Sequence, residues 1–439
     1  MSDIFELLPP ELIYPILEAN CPEDLLELIS ASPYCFRVFA TNPKRFHLAS
    51  LKSAVPKPLW REFTAACFAS YSFHVIESKV GLKHLSTVSE TQTFADRGEI
   101  SNFLDQYFSN SPDAEFPIIY NNNMRYARSL CSITCFFVKN FTQKASKEAQ
   151  YLAREHVHHD EGGELKSNGV KEVPTTIFRL SDAETLRLYR AIFRFQICCK
   201  VFRPRRFLDL LGDHRAFEQH MAFLHRFEPW EVEEMTCIHQ FLSDAVLKAL
   251  ESMDSEIESY IHEVCLFMRP GYHSGEPRDV EIGSDEGPVT FVDFSGCALS
   301  ALFGACSIFR ERRLWVMSSI VSRGLLYMAE FVLSDRDTQF KELRKMHHSV
   351  GDPFIVDSLE HLNFVGSTVP RPSNVPYEGR YAVAKRANLA SYMYGADREG
   401  SYLRIAHEYR MVSFRALGYS FWDSERLTSE LLTKAFCGS

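Results

Sequence analysis

The sequence predicts a mainly α-helical protein: a module of three or four short helices over residues 1–54, followed by a large, predominantly helical domain over residues 55–439. Two observations predict it. Asn20-Cys21-Pro22, Ala31-Ser32-Pro33 and Thr41-Asn42-Pro43 recur at intervals of about ten residues, and proline opens a helix without losing an intrahelical hydrogen bond. Beyond Val55, apolar residues recur at helical spacing over 123–154, 181–202, 229–268, 294–333 and 381–414, while strand signals are short and few, Val289 to Phe294 being the best.

Each element has a local cause. Leu8, Leu12 and Ile16, widened by Ile13 and Leu17, form an apolar face on the first helix, and Leu25, Leu28 and Ile29 form another on the second. Glu23 and Asp24 fall in the first turn of that second helix, where exposed N–H groups favour carboxylates. Pro15 lies inside the first helix. An interior proline costs about 3 kcal/mol through a lost bond and a clash, so a kink is expected there. Polar stretches bearing Gly and Pro near 155–174, 269–290 and 366–380 read as loops. No repeat of solenoid or propeller length is present.

Composition narrows the function. The 439 residues include 48 basic and 57 acidic side chains, a formal charge of −9 that excludes nucleic-acid binding driven by bulk electrostatics. With 46% hydrophobic residues, 35 Phe and 18 Tyr, large aromatic cores are expected. Asp3, Glu6, Glu11 and three prolines occupy the first 18 residues, so no secretory signal is expected. The longest uncharged run, Phe294 to Phe309, is too short and too rich in small residues for a membrane span. These readings predict an intracellular protein, cytoplasmic or nuclear, without membrane association. Its 12 cysteines lack C-x-x-C pairs and are expected to be buried thiols.

Leu8-Pro9-Pro10-Glu11-Leu12, Ile16-Leu17, and Glu23-Asp24-Leu25-Leu26 with Leu28 resemble the F-box, over about residues 6–50. The resemblance implies a helical module that docks on the Skp-type adaptor of a cullin-RING ubiquitin ligase, while the rest of the chain recruits a protein client. Leu8, Pro9, Leu12, Ile16 and Leu25 would then be the adaptor-binding anchors. Where the family usually ends a short apolar stretch in tryptophan, this chain has a further proline start and Phe36. In this it is similar to fungal F-box-like proteins with an Ala-Ser-Pro turn and a long helical tail. Arg187 to Phe202 and Gly418 to Leu427 add to that likeness.

Other constellations carry less. His156, His158, His159, Asp160 and Glu161 have metal-ligand chemistry, but they adjoin Gly162-Gly163 and read as solvated loop side chains. Arg187, Arg190 and Arg194 lie on one side of an apolar helix, either solvated or paired with internal carboxylates. Asp423 and Glu425 are the proposed partners. The clusters Arg203, Arg205, Arg206 and Arg310, Arg312, Arg313 read as solvated surface. No nucleophile elbow, phosphate loop, dinucleotide fingerprint or H-E-x-x-H is present, and Cys198, Cys199 and Cys297 lie in apolar patterns that suggest inert packing. Trp230, Trp315 and Trp422 read as core anchors. The expectation is a non-catalytic adaptor protein without a cofactor. A helical scaffold whose first helices fold back on the body is the alternative, and a metal-dependent enzyme a remote one.

Overall fold

The computed structural model of the protein describes residues 3–79, 90–109, 116, 122–159, 180–202, 220, 223–253, 316–317, 320–345, 415 and 417–423. Among them 84% are helical and no strand occurs, so the protein is mainly α. The chain divides into two compact units, one of residues 1–203, 214–241 and 355–439, the other of 204–213 and 242–354. The strand expected at 289–294, the helix at 381–414 and the loops at 269–290 and 366–380 lie outside the described residues. So do both short arginine clusters, Cys297, Trp315 and Glu425.

The first unit opens with a 3-10 turn, Ile4–Leu7, and four short helices: α1 (Pro10–Ala19), α2 (Pro22–Ala31), α3 (Pro33–Thr41) and α4 (Pro43–Ala54). Each starts on a proline. The caps differ: the Ser32 hydroxyl accepts from the Cys35 N–H and the Asn42 side chain from that of Arg45, whereas α2 has no side-chain cap. Helix α1 runs through Pro15 to Ala19. Ile13, Leu17, Leu25, Cys35, Val38, Phe39 and Phe46 form the buried cluster, with the Tyr14 ring stacked 5.7 Å from that of Phe46. The inward face of α1 is therefore centred on Ile13 and Leu17. Leu12 points away from it.

The remaining helices of this unit are α5 (Trp60–Lys79), α6 (Glu90–Phe108), α7 (Asn122–His159), α8 (Asp182–Val201) and, to Phe241, α9 (Pro229–Glu251). Helix α7 continues through His159, which corrects the loop expected from residue 155: Glu155 to His159 contain no breaker, and glycine first occurs at 162. Helices α5 and α6 lie within the domain expected to be helical but outside the helical segments named from the sequence. Over the part of α5 whose side chains are described, residues 60–72, Glu62 to Cys67, Ala69 and Ser70 are all buried, so no polar stripe marks an outer face there. It packs along α8, where Phe63 meets Phe193 edge-on at 5.5 Å and Gln196 donates to Ser70 Oγ at 3.0 Å.

Helix α8 is buried nearly all round, and its arginines are internal. Arg187 donates to Asp423 Oδ1 at 2.5 Å and to the Phe421 carbonyl at 2.8 Å, so of the three arginines considered as partners for Asp423 and Glu425 it is Arg187 that meets Asp423. Arg190 bonds both oxygens of Glu234 (3.0 and 2.7 Å), and Arg194 bonds Glu231 at 2.8 Å. Arg415 grips both oxygens of Glu233 (2.7 and 3.1 Å). Burial pushes Glu62 and Glu234 up despite neighbouring arginines. At Glu231, Arg194 and Arg190 together overcome burial and hold the carboxyl below its ordinary range. Such pairs contribute little net stability when intact, but they bind the described stretch 415–423 to α8 and α9.

That stretch turns at Gly418, whose φ of 68° suits glycine. A Cβ there would lie 2.7 Å from the Phe141 ring. The neighbouring Trp422 is buried and donates to the Leu417 carbonyl at 2.6 Å, which makes it a core anchor, while Trp230 is half-buried. Ser181 closes a capping box with Glu184 at the start of α8, and its hydroxyl donates to Asp423 Oδ2 at 2.7 Å. Ser181→Ala is expected to cost about 1–2 kcal/mol in a denaturant titration, at the upper end for a lost cap because the Asp423 bond goes with it.

In the second unit, α10 (Leu325–Leu333) and α11 (Arg336–Lys345) are joined at Ser334 and Asp335. The Gln339 side chain donates to the Phe331 carbonyl at 2.8 Å, and Asp335 caps α11 by accepting from the Thr338 N–H at 2.8 Å. Among the described residues no helix is long and apolar enough to cross a membrane.

Candidate protein-docking surface

The five anchor residues separate by burial. Pro9 and Leu12 are exposed, Leu12 at 53%. Leu8 and Ile16 are half-buried against the cluster of the first helices. Leu25 is 0% exposed inside that cluster, a correction to its reading as an anchor: the face of α2 that carries it is the face that meets α3 and α4. The sequence spacing marks Leu25 as apolar but does not say which apolar residues the module keeps for itself.

Three apolar residues missed from the sequence join the outward set. Ile4 and Leu7 of the 3-10 turn are 71% and 83% exposed, and Phe36 of α3 is 53% exposed. Hydrogen bonds hold the turn in place. The Asp3 carboxylate accepts from the Phe5 N–H (3.0 Å), the Ser32 hydroxyl (2.6 Å) and the Tyr34 N–H (3.0 Å). The Ser32 bond, followed by the Tyr34 bond, holds the Asp3 carboxyl below its usual range. The Tyr34 hydroxyl donates to the Leu8 carbonyl at 3.4 Å, and Arg37 pairs with Glu6 at 2.7 Å. The turn is thereby pinned beside the first two turns of α3. The turn that carries Ile4 and Leu7 therefore adjoins the helix that carries Phe36. Four residues are too few to show a helical period, so the only signal available in sequence was the paired Ile4 and Leu7 before Leu8-Pro9.

The same module exposes the Glu6–Arg37 pair and Glu11, and no acid, base or nucleophile is needed for its exposed apolar residues to bind a protein. Elsewhere in the module, α2 and α4 pack against α7.

His156, His158 and His159 lie in the last turn of α7, and Asp160 and Glu161 lie outside the described residues. Among the described residues no group of three or more His, Cys, Asp or Glu is placed to hold a metal ion. Cys198 and Cys199 are fully buried, and burial pushes the Cys198 thiol well up. Not all cysteines are buried as expected: Cys21 is half-buried and Cys135 exposed. Comparison with protein-family models, curated proteins and solved structures finds no match to the chain.

Proposed function

We propose that the chain is an F-box-like, substrate-recruiting subunit of a cullin-RING ubiquitin ligase, which binds a Skp-type adaptor through its first helices and an unidentified protein client through its helical body. The observation that carries this reading is the outward apolar set, Ile4, Leu7, Leu12 and Phe36 with Pro9, on a module whose own core is already filled. Its action is positional and non-catalytic, in the cytoplasm or nucleus. A client held beside a charged ubiquitin-conjugating enzyme presents its lysine at high effective concentration. Leu8 and Ile16 contribute through their exposed edges, and Leu25 supports the module from within.

The test is capture of purified Skp-type adaptor by the full chain. Leu7→Asp with Leu12→Asp is expected to weaken capture by at least about thirtyfold, the equivalent of one central anchor of about 2 kcal/mol, with the melting temperature preserved. If the unaltered, folded chain captures no adaptor, the reading fails. The second reading is then favoured, a helical scaffold in which the first helices serve the body, because α2 and α4 already pack on α7.

A further inference from the structure

The turn Ile4–Leu7 contains no fully buried residue; Phe5, and Leu8 at its end, are half-buried against the cluster of the first helices. Apolar packing therefore does little to fix a segment whose exposed side chains, Ile4 and Leu7, belong to the docking set. What ties it down is polar and converges on one group. Asp3 Oδ1 accepts from the Phe5 N–H at 3.0 Å, inside the turn, while Oδ2 accepts from the Ser32 hydroxyl at 2.6 Å and the Tyr34 N–H at 3.0 Å, at the start of α3. Tyr34 is the second residue of α3, so its N–H has no intrahelical acceptor, and a carboxylate from 31 positions earlier takes that place. Helix α3 has a cap of its own, because the Ser32 hydroxyl accepts from the Cys35 N–H at 3.0 Å. Two further ties between the turn and α3 are weaker: the Glu6–Arg37 pair is exposed, and the Tyr34 hydroxyl reaches the Leu8 carbonyl at 3.4 Å. Without Asp3, α3 keeps its cap while the turn loses its main hold.

We propose that Asp3 is a positioning residue of the docking surface: a latch that holds Ile4 and Leu7 in place for the adaptor and is dispensable for folding of the helices behind them. The proposal rests on the docking reading given above and adds to it the residue that controls the site. Once released, the turn regains backbone freedom, and an arriving partner must order it again at the expense of binding energy. Apparent affinity then falls in proportion to the fraction of time the turn spends latched. Asp3 touches no partner in this scheme, and its effect passes entirely through the two apolar side chains that follow it.

The experiment compares four forms of the full chain: unaltered, Asp3→Ala, Ile4→Ala with Leu7→Ala, and all three changes together. Affinity for purified Skp-type adaptor, melting temperature, and amide hydrogen exchange across residues 4–8 are measured for each. Asp3→Ala is expected to speed exchange across residues 4–8 and to weaken capture by about tenfold, as for a turn latched about a tenth of the time, with the melting temperature unchanged. On the Ile4→Ala, Leu7→Ala background the same change should weaken capture by less than about twofold, because a latch with nothing to position has nothing to lose. Equal capture by Asp3→Ala and the unaltered chain, unchanged exchange, or a loss that recurs in full on the alanine background overturns the proposal and leaves the docking reading standing. A fall in melting temperature that accounts for the lost capture assigns Asp3 to folding and overturns it as well. An unaltered, folded chain that captures no adaptor removes the docking reading itself, and the latch with it.

Discussion

Arg415→Met is expected to destabilise the first unit by about 3–5 kcal/mol, because it leaves the Glu233 carboxylate buried without the guanidinium that holds both of its oxygens. The measurement is chemical denaturation followed by tryptophan fluorescence. Arg37→Met is the control: Arg37 and Glu6 form an exposed pair of the same length, 2.7 Å, and losing it should change stability by less than about 1 kcal/mol. Distance is the same in both pairs, so desolvation decides the difference. Glu233→Leu added to Arg415→Met should recover much of the loss, since an apolar pair has no charge to strand. An Arg415→Met effect as small as that of Arg37→Met would show that water reaches Glu233.

The second large effect separates two leucines that look alike in sequence. Leu25→Asp is expected to unfold the first four helices at a cost above about 4 kcal/mol, since it forces a carboxylate into the cluster formed with Ile13, Leu17, Phe39 and Phe46. Leu12→Asp, on the outward side of α1, should leave the melting transition within about 0.5 kcal/mol of the parent. Limited proteolysis of the full chain checks both: early cleavage within residues 3–54 is expected for Leu25→Asp alone. Equal behaviour of the two variants would contradict the burial described for α1 and α2. The contrast also bears on the docking proposal, because lost adaptor capture informs about a surface only in a variant that stays folded.

How much of this was legible beforehand depended on the range of the interaction. The starts of α2, α3 and α4 follow from proline and its neighbours within a few residues, and the ends of α8 follow from the Ser181–Glu184 capping box and the change of pattern at Phe202. Helix α5 was not legible: its buried run of Glu62, Thr64, Ala65, Ala66 and Ser70 has no periodic contrast, and only its position against α8 accounts for it. The outward apolar set was half legible. The Leu-Pro start drew attention to Leu8, Pro9 and Leu12, while Ile4, Leu7 and Phe36 became part of the surface only when Asp3, Ser32, Tyr34 and Arg37 tied the first turn to α3.

By itself, the sequence determined that the protein is helical, where its short helices begin, that the chain is acidic, and that an apolar set lies near the amino end. Those properties depend on the local backbone and on composition, so a single chain read in order displays them. The tertiary structure alone decided that Leu25 is core and Leu12 surface, that α8 places three arginines against carboxylates up to 236 positions away, and that Asp3 meets the start of α3. Burial and charge pairing depend on which faces of distant helices meet. Helical periodicity names those faces without saying what lies opposite them.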